Sequence, residues 1–363
     1  MPNRYWLIAL FLSAAALGLF FVVGNGALRS FIVLFGFACF LIARPIWASD
    51  TNAYNRFTLP TQVVLATLVA LPFLCTVVFS LFKVDSINLH TFNWDWAGTE
   101  NYRAILSNPT DLFGLWRTIQ FATVAVGLET FLGVLIGTAL GQVGDRMLIL
   151  RSLFILPVIM PPLIAGMLWR SLLDQSFGGL NRLLGWIGVE GLPWLSLTSL
   201  KFLDSYSNVV PYLRDLANLR LGMFSALITE VWQWTPFVAL IIAAGIRMIP
   251  REHTEWARTQ GASGFQLFWL VQLPHLKSLI GLVVVLRFID CLKTYESIWV
   301  FFGNNTETAT SAIRIATYAV EMRDFGHGAA LALVYLALAV VTAGVMGFRL
   351  ANIKSANKVR AWK

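Results

Sequence analysis

Long apolar runs, each bounded by short polar or charged stretches, set the pattern of this chain. An α-helix needs about 20 apolar residues to cross the hydrocarbon of a bilayer. Eight segments qualify: Tyr5–Val23, Ser30–Trp47, Thr61–Phe82, Trp116–Leu140, Leu150–Trp169, Gly222–Ile246, Leu279–Phe302 and Gly328–Phe348. The pattern predicts an all-α, polytopic membrane protein with about eight transmembrane helices. Pro72, Pro157, Pro161 and Pro162 fall inside these runs, which membrane helices tolerate when neighbours satisfy the freed backbone groups. Residues 83–115, 170–221 and 303–327 are polar and aromatic and are expected on the outer side. Within them, 199–221 reads as an insertion, and Tyr212–Arg220 as a short amphipathic helix that meets lipid, a binding protein or its own chain.

Composition agrees with the spans. Of 363 residues, 57% are hydrophobic and 13% charged, with a mean hydropathy of +0.70; a soluble domain carries about 25% charged residues. The net charge of +8 therefore reads as membrane topology rather than as affinity for nucleic acid. With the amino terminus, 43–60, 141–151, 247–277 and 349–363 on one side, that side holds 14 Lys and Arg against four acids. The opposite side holds 11 against 11. The basic side is the cytoplasmic one, which places both termini there, with 351–363 as a tail. Ala14-Ala15-Ala16 resembles a leader cleavage site, but the apolar run continues to Val23 as a spanning helix does.

Several chemistries find no residues to carry them. Cys39, Cys75 and Cys291 lie in apolar runs without paired spacing, so neither a disulfide framework nor a metal site is expected. His90, His253, His275 and His327 have no second ligand at metal spacing and are expected to be solvated or capping. No nucleophile–base arrangement is present, so no catalytic residue is assigned and the chain is not expected to be an enzyme. There is no G-x-x-x-x-G-K-[ST], indeed no Gly-Lys dipeptide, so a P-loop cannot form. No cofactor is expected on this chain, and any ATP it uses is hydrolysed elsewhere.

Ionisable residues inside the spans are costly and normally face a cavity or a partner. Arg287, Asp290, Lys293 and Glu296 follow one another in steps of three in the seventh run, so on one helix they wind over about half its surface. Glu230 reaches a similar level and is placed to pair with Arg287 or Lys293. Two readings stand side by side. The charges either neutralise one another and fix helix packing, or line a pathway for a hydroxyl-rich solute with Trp232, Trp234 and Tyr295 as stacking faces. Glu129 heads an i, i+4 row with Gly133, Gly137 and Gly141. Such glycines let helices approach closely, and Glu129 then needs a partner or water in the bundle.

One polar interruption, 248–277, separates the sixth and seventh runs. Pro250 suits a first helical position, and Glu252 and Glu255 complement the dipole of the first turn. Gly261 and Gly264 supply a break, after which a second short helix is expected to reach Leu273-Pro274. Ala257 and Gly261, four apart, give the first helix a nearly bare face, with Glu255 and Arg258 as a charged pair beside it. The element reads as a docking surface for a protein partner.

Here the sequence resembles the permease subunits of binding-protein-dependent ABC importers, whose loop reads Glu-Ala-Ala, three residues, Gly, nine residues, Ile-x-Leu-Pro. This chain has Glu255, Trp256, Ala257, Gly261, Val271 and Leu273-Pro274 at that spacing. Trp256 sets a bulky ring where the family has Ala. Asn101-Tyr102-Arg103, 151–162, 178–188, Pro193-Trp194-Leu195, 231–237 and 287–301 extend the likeness to the carbohydrate-type branch. The resemblance implies a six-helix permease domain over 60–350, with the two helices of 1–50 outside it and serving assembly. It implies residence in a bacterial inner membrane and a solute among sugars, polyols and glycerol phosphates. Docking of two ATPase subunits carrying ATP-Mg falls to Glu255, Trp256, Ala257, Arg258, Gly261, Leu273 and Pro274. A second permease, usually a different chain, and a soluble substrate-binding protein complete the expected assembly. The alternative is an ion-gradient-driven secondary transporter or channel that uses the intramembrane charges directly. A membrane-embedded glycosyl transferase would need a cluster of acids that is not seen.

Overall fold

The computed structural model describes residues 68–142, 148–188, 194–195 and 221–360. The two amino-terminal spans, most of the 199–221 segment and the last three residues lie outside the described residues. Those described fall into two compact units: residues up to Leu112 with Arg314–Ala337, and Phe113–Ile313 with Leu338 onward.

In the first unit α1 (Leu68–Leu81) leads into a two-residue antiparallel ribbon of β1 (Phe82–Lys83) and β2 (Asp95–Trp96). Trp94 meets Phe79 edge-on at 5.3 Å, and Trp96 meets Phe82 at 5.0 Å. α2 (Glu100–Ser107) packs Ile105 against Tyr318, Ala330 and Leu331. Asp111, buried, accepts from Arg314 Nε at 2.8 Å and from the Tyr318 hydroxyl at 2.9 Å.

The second unit is built on long helices, the last of which begins in the first unit. Four helices among the described residues are long and apolar enough to cross a membrane: Pro109–Gln142, Met223–Arg247, Gly264–Leu292 and Phe325–Phe348. They belong to α3 (Pro109–Gln142), α7 (Leu221–Arg247), α9 (Gly264–Leu292) and α12 (Phe325–Arg360). Between them lie α4 (Leu148–Ile159), α5 (Pro162–Leu172), α6 (Gly179–Gly185), α8 (Arg251–Thr259), α10 (Glu296–Phe302) and α11 (Ser311–Ala316). The glycine row does what its spacing predicts. A Cβ on Gly133 would sit 2.5 Å from Val238 Cγ1, one on Gly137 2.5 Å from the Ala239 carbonyl oxygen, and one on Gly141 2.7 Å from Ile246 Cβ. Only hydrogen at these three positions lets α3 and α7 lie backbone to backbone. Val238, Ile242, Ile246, Ile249, Leu276 and Val283 fill the adjoining core.

Two predicted spans are not single helices. The run Leu150–Trp169 breaks between α4 and α5, because Pro161 is extended (φ −56°, ψ 136°) and Pro162 starts the next helix. The carbonyl freed at Met160 accepts from Gln233 Nε2 on α7 at 2.7 Å, so a neighbouring helix repairs the break. The run Leu279–Phe302 stops at Leu292 and resumes at Glu296. Lys293 and Thr294 close the end of α9 with short turns onto Asp290 and Cys291. The row of charges at steps of three therefore does not wind along one helix.

Candidate functional site

The deepest polar feature is centred on Arg287, near the C-terminal end of α9 and 1% exposed. Its Nε donates to Glu129 Oε2 at 2.8 Å, and its Nη2 donates to Glu129 Oε1 at 3.1 Å and to Glu230 Oε1 at 3.0 Å. Glu129 comes from α3 and Glu230 from α7, and both are buried. Arg supplies five N–H donors in a planar fork, which suits one bidentate carboxylate and a second partner on the same side. The guanidinium carbon also lies 4.2 Å from the centre of the Trp234 ring, a cation–π contact strengthened by loss of water. Thr294 Oγ1 adds a weaker bond to Glu230 at 3.4 Å.

The remaining members of the predicted pathway set lie elsewhere. Asp290 and Lys293 pair with each other at 3.1 Å, with side chains 52% and 68% exposed; Asp290 is also 3.9 Å from Arg287. Glu296 is exposed at the start of α10. Tyr295 stacks on Trp299 at 6.3 Å and 26°, while Trp232 packs edge-on against Trp169 at 5.7 Å. The set thus splits into a closed group (Glu230, Trp234, Arg287, joined by Glu129), an open group (Asp290, Lys293, Tyr295, Glu296) and Trp232 in packing. Trp299 was missed by sequence reasoning, although its i, i+4 relation to Tyr295 is a legible signal.

The turn at 248–277 is a second feature, and its geometry revises several expectations. Pro250 precedes α8 as its N-cap instead of opening it. Gly261 lies past the end of α8 with φ +82°. The Ala262 N–H donates to the Ala257 carbonyl at 3.0 Å and the Gly261 N–H to that of Arg258 at 2.9 Å. This is a Schellman motif, in which glycine carries the left-handed residue without strain. Ala257 is buried, so its small side chain lets α8 lie on its own chain. The bare outward face expected from Ala257 and Gly261 is not formed, and Glu255 and Arg258 are exposed without an ion pair between them among those the described residues form.

Ser263 then caps α9 in a reciprocal box with Gln266 (2.8 and 3.3 Å). The S-x-x-Q spacing announces this box, and it went unread. Leu273-Pro274 does not end a short helix. A π-helical turn at Phe268–Gln272 carries the chain into the spanning part of α9, the Leu273 N–H reaching back to the Phe268 carbonyl just before proline removes a donor. His253 Nδ1 and His275 Nε2 face each other at 3.2 Å across the turn. The turn exposes Met248, Trp256, Phe265, Trp269 and Leu270.

Bilayer-length helices packed around a paired intramembrane charge define a polytopic integral membrane protein. Residues 129–349 match the family described as "Binding-protein-dependent transport system inner membrane component", and the chain belongs to that family. It is 27% identical to a probable ABC transporter permease protein, y4oQ, of Sinorhizobium fredii (83% of this chain, 91% of the other). It is 28% identical to the trehalose/maltose transport system permease protein MalF of Thermococcus litoralis (77% and 87%). Its fold is similar to that of a chain in a bacterial ABC transporter involved in import of the acidic polysaccharide alginate, with a TM-score of 0.65 at 16% identity (85% of this chain, 99% of the other).

Proposed function

We propose that the chain is one of two permeases that carry a carbohydrate-class solute across the inner membrane, driven by ATP hydrolysis on separate subunits docked at residues 255–274. The observation that carries this reading is the turn itself. Its main chain is closed by a Schellman motif and a capping box, yet it presents Trp256, Phe265 and Leu270 to solvent. A polar segment that spends large apolar side chains on its surface is built for a partner. Relatives include permeases named for trehalose/maltose, sulfoquinovosyl glycerol and diacetylchitobiose, which supports a saccharide-like solute. A second, different permease, two ATPase subunits with ATP-Mg and a soluble binding protein complete the assembly.

In this reading Asp290, Lys293, Tyr295 and Glu296 meet the solute, because they are exposed or half-buried where α9 gives way to α10. Glu129, Glu230 and Arg287 hold α3, α7 and α9 in register behind them, with Trp234 over the guanidinium. The cytoplasmic ends of the helices bear the turn and both termini.

The test is ATPase activity of the complex purified through a tag on this chain, comparing wild type with Glu255→Arg and Gly261→Asp. ATPase subunits are expected to co-purify, and both changes should release or uncouple them while the permease stays folded. Solute movement by this chain alone down an ion gradient, with no ATPase attached, would replace the proposal with a secondary transporter.

A further inference from the structure

α5 and α10 end beside one another in the second unit, and between their last turns lies a cavity of about 800 Å³. Its lining includes Arg170, Ser171 and Asp174 from the end of α5 and the residues after it, Phe177 beyond them, and Trp299 and Gly303 from α10 and its cap. The volume is in the range of small-molecule sites, about 300–1,000 Å³. None of these residues belongs to the network around Arg287 or to the turn at 248–277.

The side chains are fixed in ways that suit a ligand. Arg170 is anchored by donation from Nη1 to the Val300 carbonyl on α10, which leaves its fork lining the cavity. Asp174 Oδ1 accepts from the Ser176 and Phe177 N–H groups at 2.8 and 3.1 Å, which sets the plane of the carboxylate. Trp299 is braced by its stack on Tyr295 and still 43% exposed, and Phe177 is 70% exposed. The cavity therefore combines two presented aromatic faces, a planar donor, a planar acceptor and a hydroxyl.

A saccharide has that pattern in reverse, with apolar C–H faces and a rim of hydroxyls that both donate and accept. Aromatic rings cover such a face at little entropic cost, having few torsions to fix, and Arg and Asp side chains bind neighbouring hydroxyls in pairs. Arg170 and Asp174 cancel in charge, so the cavity does not select an anion. We infer that this cavity is a binding site for a neutral, hydroxyl-rich saccharide, entered before the solute reaches Asp290, Lys293 and Glu296. Trp299, one helical turn beyond Tyr295, links the two. The inference rests on the carbohydrate reading and on the outward orientation of this end of α10.

Ser171→Cys supplies the test. Intact cells making the full chain with its partner subunits are exposed to a membrane-impermeant thiol reagent, with the unsubstituted chain as baseline, in the presence or absence of millimolar maltotriose. The cysteine is expected to label from outside, and maltotriose to slow labelling several-fold where equiosmolar sodium chloride does not. Adding Trp299→Leu should abolish that protection and Trp299→Tyr should retain it, which mere steric shielding would not do. Labelling that is absent, or unchanged by maltotriose, overturns the site. ATPase co-purification is read in the same strains. Protection without an attached ATPase leaves the cavity standing and removes the importer, and the reverse removes the cavity alone.

Discussion

The surroundings of Arg287 and the turn around Gly261 lie toward opposite ends of α9 and solve opposite problems. At Arg287 three ionisable side chains from α3, α7 and α9 are withdrawn from solvent, and each finds its partner within the chain. At the turn the main chain is closed by a Schellman motif and a capping box, but Trp256, Phe265, Trp269 and Leu270 are left without cover. The first region is complete within the chain, while the second, in the proposed assembly, is covered by a partner. The difference separates residues whose loss unfolds the protein from residues whose loss disconnects it.

The comparison breaks most sharply at Arg287. Arg287→Ala leaves Glu129 and Glu230 buried without their cation, and removing one partner of a buried pair costs about 3–5 kcal/mol. Thermal unfolding of the purified chain should fall markedly or yield should collapse. The triple change Glu129→Gln, Glu230→Gln, Arg287→Met should recover most of the loss, because no charge remains buried. A stability equal to wild type in Arg287→Ala alone would show that the network does not hold the helices together.

Next in size is the helix contact behind it. Gly137→Leu drives a side chain into the Ala239 carbonyl and Ile242, and overpacking of this kind costs about 1–3 kcal/mol. Gly127→Leu, where a Cβ meets nothing within 4 Å, is the control and should melt like wild type. Equal melting of the two variants would rule out close approach as the role of the row.

The turn should respond differently. Gly261→Ala forces a Cβ into the left-handed region, at a cost of about 1–2 kcal/mol confined to the turn. Coupled ATP hydrolysis is expected to drop while the melting temperature of the permease stays nearly constant. A fall in both together would place the turn in the folding core. The smallest effect on stability belongs to the exposed pair. Asp290→Asn or Lys293→Gln should change stability by less than about 1 kcal/mol, yet raise the solute concentration needed for half-maximal uptake. Unaltered uptake would remove the pair from the pathway.

Hydropathy gave the long helices because burial in a bilayer demands length and apolarity together, and both are local properties of the chain. The approach of α3 to α7 was legible for the same reason, since Gly133, Gly137 and Gly141 write it in their spacing. The bond from Arg287 to Glu129 was not, because the two are 158 residues apart; only the need of Glu129 for some partner could be read. The break at 293–295 carries no glycine or proline, and the regular step of the charges pointed to a continuing helix. Position 261 was correctly marked as a break, but the same glycine was also counted on a helical face. Backbone at positive φ decides between the two, and a side-chain pattern does not report it. Ala257 turned inward because α8 folds back on its own chain, a tertiary fact that a bare-face argument leaves out.

The π turn at Phe268–Gln272 has a mechanical meaning. It lets the helix continue through Pro274, so Gly264–Leu292 is one unbroken helical segment of 29 residues, about 43 Å along its path at the helical rise. The helix is next interrupted only at Lys293-Thr294-Tyr295. In the proposed assembly, movement imposed beside Gly261 would pass along this one helix to that joint, as by a crankshaft, with Asp290 riding on the shaft and Glu296 on the far side of the bearing.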